Sequence, residues 1–145
     1  MAVSDSRRLH MVLAHLYPDL RVTIDTDSTG DYHLINHSDG NGTQLIWNNV
    51  EISEPTAQQL SDAKEAATDA YWWEWLRKIR NKLLTESDWS QGTDVPSALK
   101  SSYATYRTDL RNLPTTVTKP DFQTLNNQSI AEWNIDSLMP AKPGA

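Results

Sequence analysis

Tyr71-Trp72-Trp73-Glu74-Trp75-Leu76-Arg77-Lys78-Ile79-Arg80-Asn81-Lys82-Leu83-Leu84 is the stretch on which the fold turns. Neither proline nor glycine occurs between Ala57 and Leu84. That predicts one helix of roughly 28–30 residues, about 43 Å long. Pro55 suits its first turn, with Ser53 or Glu54 as the cap. The apolar face rotates along it. Leu60, Ala63, Ala67 and Tyr71 make one stripe, and Trp72, Trp75, Leu76, Ile79 and Leu83 make another, displaced by about 100°. The two halves are therefore expected to pack on different things, the first on an N-terminal hairpin and the second on the helix that follows. A bend near Tyr71 is the alternative.

Charge is graded along the same helix. Asp62, Glu65, Asp69 and Glu74 lie toward its start, and Arg77, Lys78, Arg80 and Lys82 toward its end, as the helix dipole favours. Glu74 and Lys78 form a correctly oriented i, i+4 pair. The basic run is thus helix chemistry rather than a nucleic-acid site. Trp73, Arg77, Arg80 and Leu84 lie off the second stripe. Tryptophan and arginine are the residue types most enriched at binding hot spots, so this face is a candidate partner surface. The competing reading is arginine side chains lying over an exposed tryptophan.

Ser87-Asp88-Trp89-Ser90 breaks the helix, and a second one is expected from about Pro96 to Asn112. Leu99, Tyr103, Tyr106, Leu110 and Leu113 recur at +4, +3, +4, +3, the spacing of a narrow two-helix seam. Meeting Trp72, Leu76, Ile79 and Leu83, that seam would close an antiparallel helical hairpin. Trp89 is placed to plug its closed end. Asp88 would pair with Arg107 or accept hydrogen bonds from loop amides.

Ahead of this, Leu9–Tyr17 reads as a short helix stopped by Pro18, with Ser4 or Ser6 as its cap. Arg21–Ile24 is a weak candidate strand. Tyr32–Asn36 and Thr43–Trp47 are stronger ones, and Asp39-Gly40-Asn41-Gly42 between them supplies the positive φ of a tight hairpin. Asp25–Asp31 begins like a calcium loop, but the twelfth position is Asn36 where a bidentate glutamate is needed, so a solvated acidic turn is expected. His10 and His15 are five apart, the wrong spacing for a metal pair on a helix. No metal site and no cofactor site is expected.

The 145 residues suffice for one ordinary domain, or a small one with an appendage. A net charge of −6 argues against binding nucleic acid or an anionic membrane, and no apolar run is long enough to span a bilayer. The first eight residues lack the apolar core of a signal peptide. The absence of cysteine removes disulfides, thiolate zinc sites and a cysteine nucleophile. No catalytic constellation is visible, and an enzyme is not expected. After Pro114 the composition turns polar, yet Phe122, Leu125, Ile130, Trp133, Ile135, Leu138 and Met139 interrupt it. This suggests an extended arm that lies along a surface, its own or a partner's, with Phe122 and Trp133 among its apolar anchors. A tail folded back over the hairpin is the alternative. The expected architecture is α+β, with a small N-terminal helix and antiparallel β-hairpin over 1–54, a long helix and helical hairpin over 55–114, and the arm over 115–145.

Arg80-Asn81-Lys82-Leu83-Leu84, Ser87-Asp88-Trp89-Ser90, Tyr103-Ala104-Thr105-Tyr106-Arg107 and Leu110-Arg111-Asn112-Leu113-Pro114 together resemble the phage tail assembly chaperone family. That family carries R-(D/N)-x-L-L-x-x-(S/T)-D-W-(T/S), a variable loop, and W-x-x-Y-R-x-x-L-R-(D/N)-(L/I)-P. The chain departs at Tyr103, where tryptophan is usual, and at Asn81 and Asn112, where aspartate is common. Leu83, Tyr103, Tyr106, Arg107, Leu110 and Arg111 are then the structural residues of the motif. The front part is similar to small tail-cluster proteins of the XkdW type, through Leu16-Tyr17-Pro18, the Gly40–Gly42 turn, Ile46-Trp47-Asn48 and Pro55-Thr56. The resemblance implies a non-enzymatic protein of the host cytoplasm that holds a phage tail or tail-fibre polypeptide during assembly. A subunit retained in the virion tail, baseplate or fibre attachment is the alternative, and a homo-oligomer is compatible with both. Asp88 and Trp89 join Trp73, Arg77, Arg80, Leu84, Phe122 and Trp133 as candidate partner contacts.

Overall fold

The computed structural model describes residues 5–20, 30–36, 38–40 and 42–144. The candidate strand Arg21–Ile24, most of the acidic turn, and the positions of Ser4, His37 and Asn41 lie outside them. In order, the elements are α1 (Asp5–Leu16), β1 (Tyr32–Asn36), β2 (Thr43–Trp47), α2 (Ala57–Glu86), α3 (Ser97–Thr116) and α4 (Phe122–Asn127). Single 3-10 turns occupy Asp88–Gln91, Ala131–Trp133 and Ile135–Leu138. This is the expected mixture of a small helix, a two-stranded hairpin and a long central helix with further helices.

The strands pair antiparallel, with Tyr32 opposite Trp47 and Asn36 opposite Thr43. The loop between them turns on positive φ at Ser38, Gly40 and Gly42 (57°, 86° and 76°). A glycine pays no Cβ penalty there, which is why the Gly40 and Gly42 signal was readable. The open end of the hairpin is tied as well. Asp31 O accepts from the backbone amides of Asn48 and Asn49, and Asn49 Oδ1 accepts from those of Glu51 and Ile52.

The long helix begins two residues later than its proline suggested. Thr56 caps it: Gln59 N donates to Thr56 Oγ1 (3.1 Å), while Thr56 N donates to Gln59 Oε1 (2.8 Å). Two amides that have no helical partner are satisfied reciprocally, as in a capping box. Ser53 and Glu54 are therefore not the cap. In α1, which starts at Asp5, Ser6 falls inside the helix rather than at its cap. At the other end, α3 runs through Pro114 to Thr116. A proline in the last turn removes one helical hydrogen bond, and the hydroxyls of Thr115 and Thr116 donate to the carbonyls of Asn112 and Leu113 nearby.

The chain forms two compact units. One comprises residues 1–71 with 122–130, and the other 72–121 with 131–145. The division falls within α2 at Tyr71 and Trp72, where the apolar stripe rotates. In the first unit, Met11, Val12 and Leu13 of α1 are buried together with Tyr32, Ala67, Leu125 and Ile130. Tyr32 stacks on Trp47 (6.0 Å) and Trp47 meets Tyr17 (5.8 Å), while His10 Nδ1 lies 3.0 Å from the Tyr32 hydroxyl. In the second, Trp72 and Leu76 are fully buried, as is Leu110, with Tyr103, Tyr106, Leu113, Trp133 and Ile135 nearly so. The segment after Pro114 is not a bare extended arm. It forms α4 and two 3-10 turns, and its anchors Leu125, Ile130, Trp133 and Ile135 are core residues of the chain itself. The folded-back alternative describes it better. Large apolar side chains recurring every few residues are enough to hold a polar segment on its own core.

Candidate functional site

The turn between α2 and α3 is densely hydrogen-bonded, and Arg107 is its centre. Its side chain is about nine-tenths buried. Nη1 donates to Leu84 O (2.6 Å) and to Ser87 Oγ (2.8 Å), and Nη2 donates to Asp88 Oδ1 (2.7 Å). A planar fork is suited to such a set, since it reads a helix-end carbonyl, a hydroxyl and a carboxylate together. The pairing of Asp88 with Arg107 expected from sequence is present. The Asp88 side chain remains 64% exposed, so the pair is worth less than a buried one.

The rest of the turn is closed by serines. Ser87 Oγ donates to the carbonyls of Leu83 and Leu84, adding to the bonds they accept from the Ser87 amide. Ser90 is wholly buried, and its hydroxyl donates to Ser87 O (2.6 Å) while accepting from Gln91 Nε2 (3.0 Å). Lys100 Nζ reaches Gly92 O from α3. Beneath them Leu83, Leu84 and Met139 pack on the buried cluster of Tyr103, Tyr106 and Leu110. Burial pushes the Tyr106 phenol up from its ordinary pKa, with smaller contributions from Tyr103 and Glu86.

What this frame presents is Trp89. Its ring is 54% exposed, with one edge against Tyr103 (5.1 Å between centroids). Leu99, one helical turn before Tyr103, is 39% exposed. Trp89 therefore does not plug the closed end, and Leu99 falls short of the seam. Leu99 lies in the first turn of α3. An exposed tryptophan on a hydrogen-bonded turn is the kind of anchor that interfaces bury.

The other sequence candidates fare differently. Trp73 is half-buried, edge-on to Trp72 at 4.9 Å. Arg77 is exposed, and Arg80 folds onto its neighbour, donating to Asn81 Oδ1. Leu84 belongs to the rim of the core cluster, so it does not share an outward face with Arg77. Trp133 is 6% exposed and Phe122 half-buried, and the two fall in different units. Arg111 is exposed on α3, Leu83 is half-buried against the core cluster, and Tyr103, Tyr106, Arg107 and Leu110 are held inside. Sequence reading passed over Ser90, whose signal was its place one residue after the tryptophan in a turn that needs internal donors.

Among the described residues no three histidine, aspartate or glutamate side chains gather into a metal-binding group, and no helix is long and apolar enough to cross a membrane. Neither curated proteins nor solved structures gave a match to this chain. One family model does match, that of the phage tail assembly chaperone protein, over residues 73–134. The matched segment starts beyond the N-terminal part and leaves its likeness to tail-cluster proteins untouched. The match runs from Trp73 to Asn134 and takes in Arg107, the Trp89 turn and part of the segment after Pro114, so this part of the chain is similar to that family, as the motif from Arg80 to Pro114 implied.

Proposed function

We propose that this protein acts in the host cytoplasm as a non-enzymatic assembly factor, holding a tail or tail-fibre polypeptide through the Trp89 turn until that polypeptide docks. The observation that carries the reading is the exposure of Trp89 on a turn whose polar groups are otherwise satisfied internally. Order in the turn lowers the entropy lost on binding, and the indole supplies a large apolar contact. Asp88 supports the turn and keeps an oxygen on the surface beside it.

Co-purification with the neighbouring tail proteins tests this. Trp89→Ala is expected to weaken capture by about thirty-fold, the effect of losing a hot-spot anchor of about 2 kcal/mol. Its melting temperature should stay near that of the parent. Undiminished capture by the variant would remove Trp89 from the interface. Truncation after Pro114 is a poorer test, because it deletes core residues along with any contact surface. Recovery of the chain at fixed stoichiometry in purified particles would move it from assembly factor to virion subunit.

A further inference from the structure

The first unit holds a second buried arginine that is left open. Arg8 on α1 is 8% exposed. Its Nη2 donates to the carbonyls of Leu125 (3.0 Å) and Gln128, capping the end of α4. Its Nη1 makes no hydrogen bond. The described residues include two salt bridges, Lys82–Glu86 and Arg107–Asp88, and neither supplies a carboxylate to Arg8. Burial alone lowers the guanidinium pKa. A cation taken out of water without an anion costs several kcal/mol, so the arrangement is unfavourable unless an acceptor arrives.

Arg8 also lines a cavity of about 310 Å³ between α1 and the start of α2, with Leu9, Val12, Leu60, Ser61 and Lys64. Of the six described residues that line it, two are cations and none is an acid. Three are aliphatic, and Ser61 adds one hydroxyl. A bare inorganic anion would satisfy the cations but face leucine and valine walls. A purely apolar side chain would satisfy the walls and leave both cations unpaired.

We propose that this cavity is a docking pocket for an acidic side chain of a partner polypeptide, a glutamate or aspartate next to an aliphatic residue. The aliphatic neighbour rests on Leu9, Val12 and Leu60. Lys64, the less buried cation, meets the carboxylate first. Nη1 of Arg8 is shielded from solvent, so the guanidinium turns toward the carboxylate to complete the pairing. The lining residues all precede residue 73, so the pocket is independent of the Trp89 turn and of the matched family segment.

The test titrates the full-length, isotope-labelled chain with N-acetyl-Leu-Glu-amide, N-acetyl-Leu-Gln-amide and inorganic phosphate, following backbone amide resonances. The Glu dipeptide should shift Leu9, Ser61 and Lys64, and bind about ten-fold or more tighter than its Gln counterpart, as expected for a charge-assisted pair. Lys64→Glu should abolish that binding while leaving the remaining spectrum intact, and Trp89→Ala should leave it unchanged. Arg8→Met is a less clean variant because it also uncaps α4. Equal binding of the two dipeptides, absence of shifts with either, or insensitivity to Lys64→Glu would overturn the proposal. Phosphate binding as tightly as the Glu dipeptide would overturn it too, by making the pocket a general anion site.

Discussion

Arg8 and Arg107 are both buried, and both donate to the carbonyls at the end of a helix, yet they end in opposite states. Arg107 finds a hydroxyl and a carboxylate as well, and all of its partners lie within one turn. Among the described residues Arg8 finds only carbonyls. The difference teaches what a buried arginine means. Where neighbouring residues complete the donor set, it is architecture and the useful surface lies elsewhere, here at Trp89. Where they do not, the unpaired charge is itself the feature a partner can use.

Substitution by methionine separates the two, because it keeps most of the volume and removes the charge. Arg107→Met removes the guanidinium that donates to Ser87 Oγ, Asp88 Oδ1 and Leu84 O. It should cost about 3 kcal/mol, a fall in Tm of about 10 °C in a chain of this size. In an Asp88→Asn background the same change should cost about 1 kcal/mol less, since part of the loss is the ion pair. Thermal unfolding of the four proteins of that cycle gives the coupling. Additive effects would mean that Asp88 contributes nothing to Arg107.

Arg8→Met should cost less, about 1 kcal/mol, although it breaks two charge-assisted hydrogen bonds. Removing a buried cation that lacks a carboxylate returns its desolvation penalty, whereas no such return is available at Arg107. Equal losses from the two substitutions, measured by denaturant unfolding, would break the comparison. They would mean that Arg8 is as fully compensated as Arg107.

Much of this was legible from residues whose signal is local. Gly40 and Gly42 announced the hairpin, the two stripes of α2 announced a helix that changes neighbours at Tyr71, and the +4, +3 seam placed Tyr103, Tyr106 and Leu110 inside. The helical-hairpin reading offered Arg107 as one of two kinds of partner for Asp88, the other being loop amides. What could not be read was set by contacts distant in sequence. Arg8 meets Leu125 and Gln128 more than a hundred residues away, and nothing in Ser6-Arg7-Arg8-Leu9 marks the second arginine as the buried one. Trp133 looked like a free anchor because its neighbours are polar, but burial depends on the surface a segment lies against. Thr56 was missed for a different reason. The threonine and Gln59 spell a capping box, but Pro55 drew the start of the helix forward.

The smallest expected effect also comes from the first unit. His10 lies against Tyr32, its Nδ1 within 3.0 Å of the phenol oxygen, and burial pushes the imidazole pKa down. The same burial pushes the Tyr32 phenol up, so the tyrosine remains a neutral neighbour. A histidine whose pKa is lower folded than unfolded favours the neutral form in the fold. Its contribution is fully present above the ordinary imidazole pKa and is lost as pH falls through the lowered folded value. The unfolded chain then takes up the proton first, and unfolding is drawn forward. Stability should therefore decline gently from pH 7 to pH 5, by less than about 1 kcal/mol because the ring is only half-buried. His10→Gln removes the titrating group and should flatten that part of the profile, while Arg107→Met should shift the whole curve down without changing its slope there. A slope that survives His10→Gln would assign it to carboxylates instead.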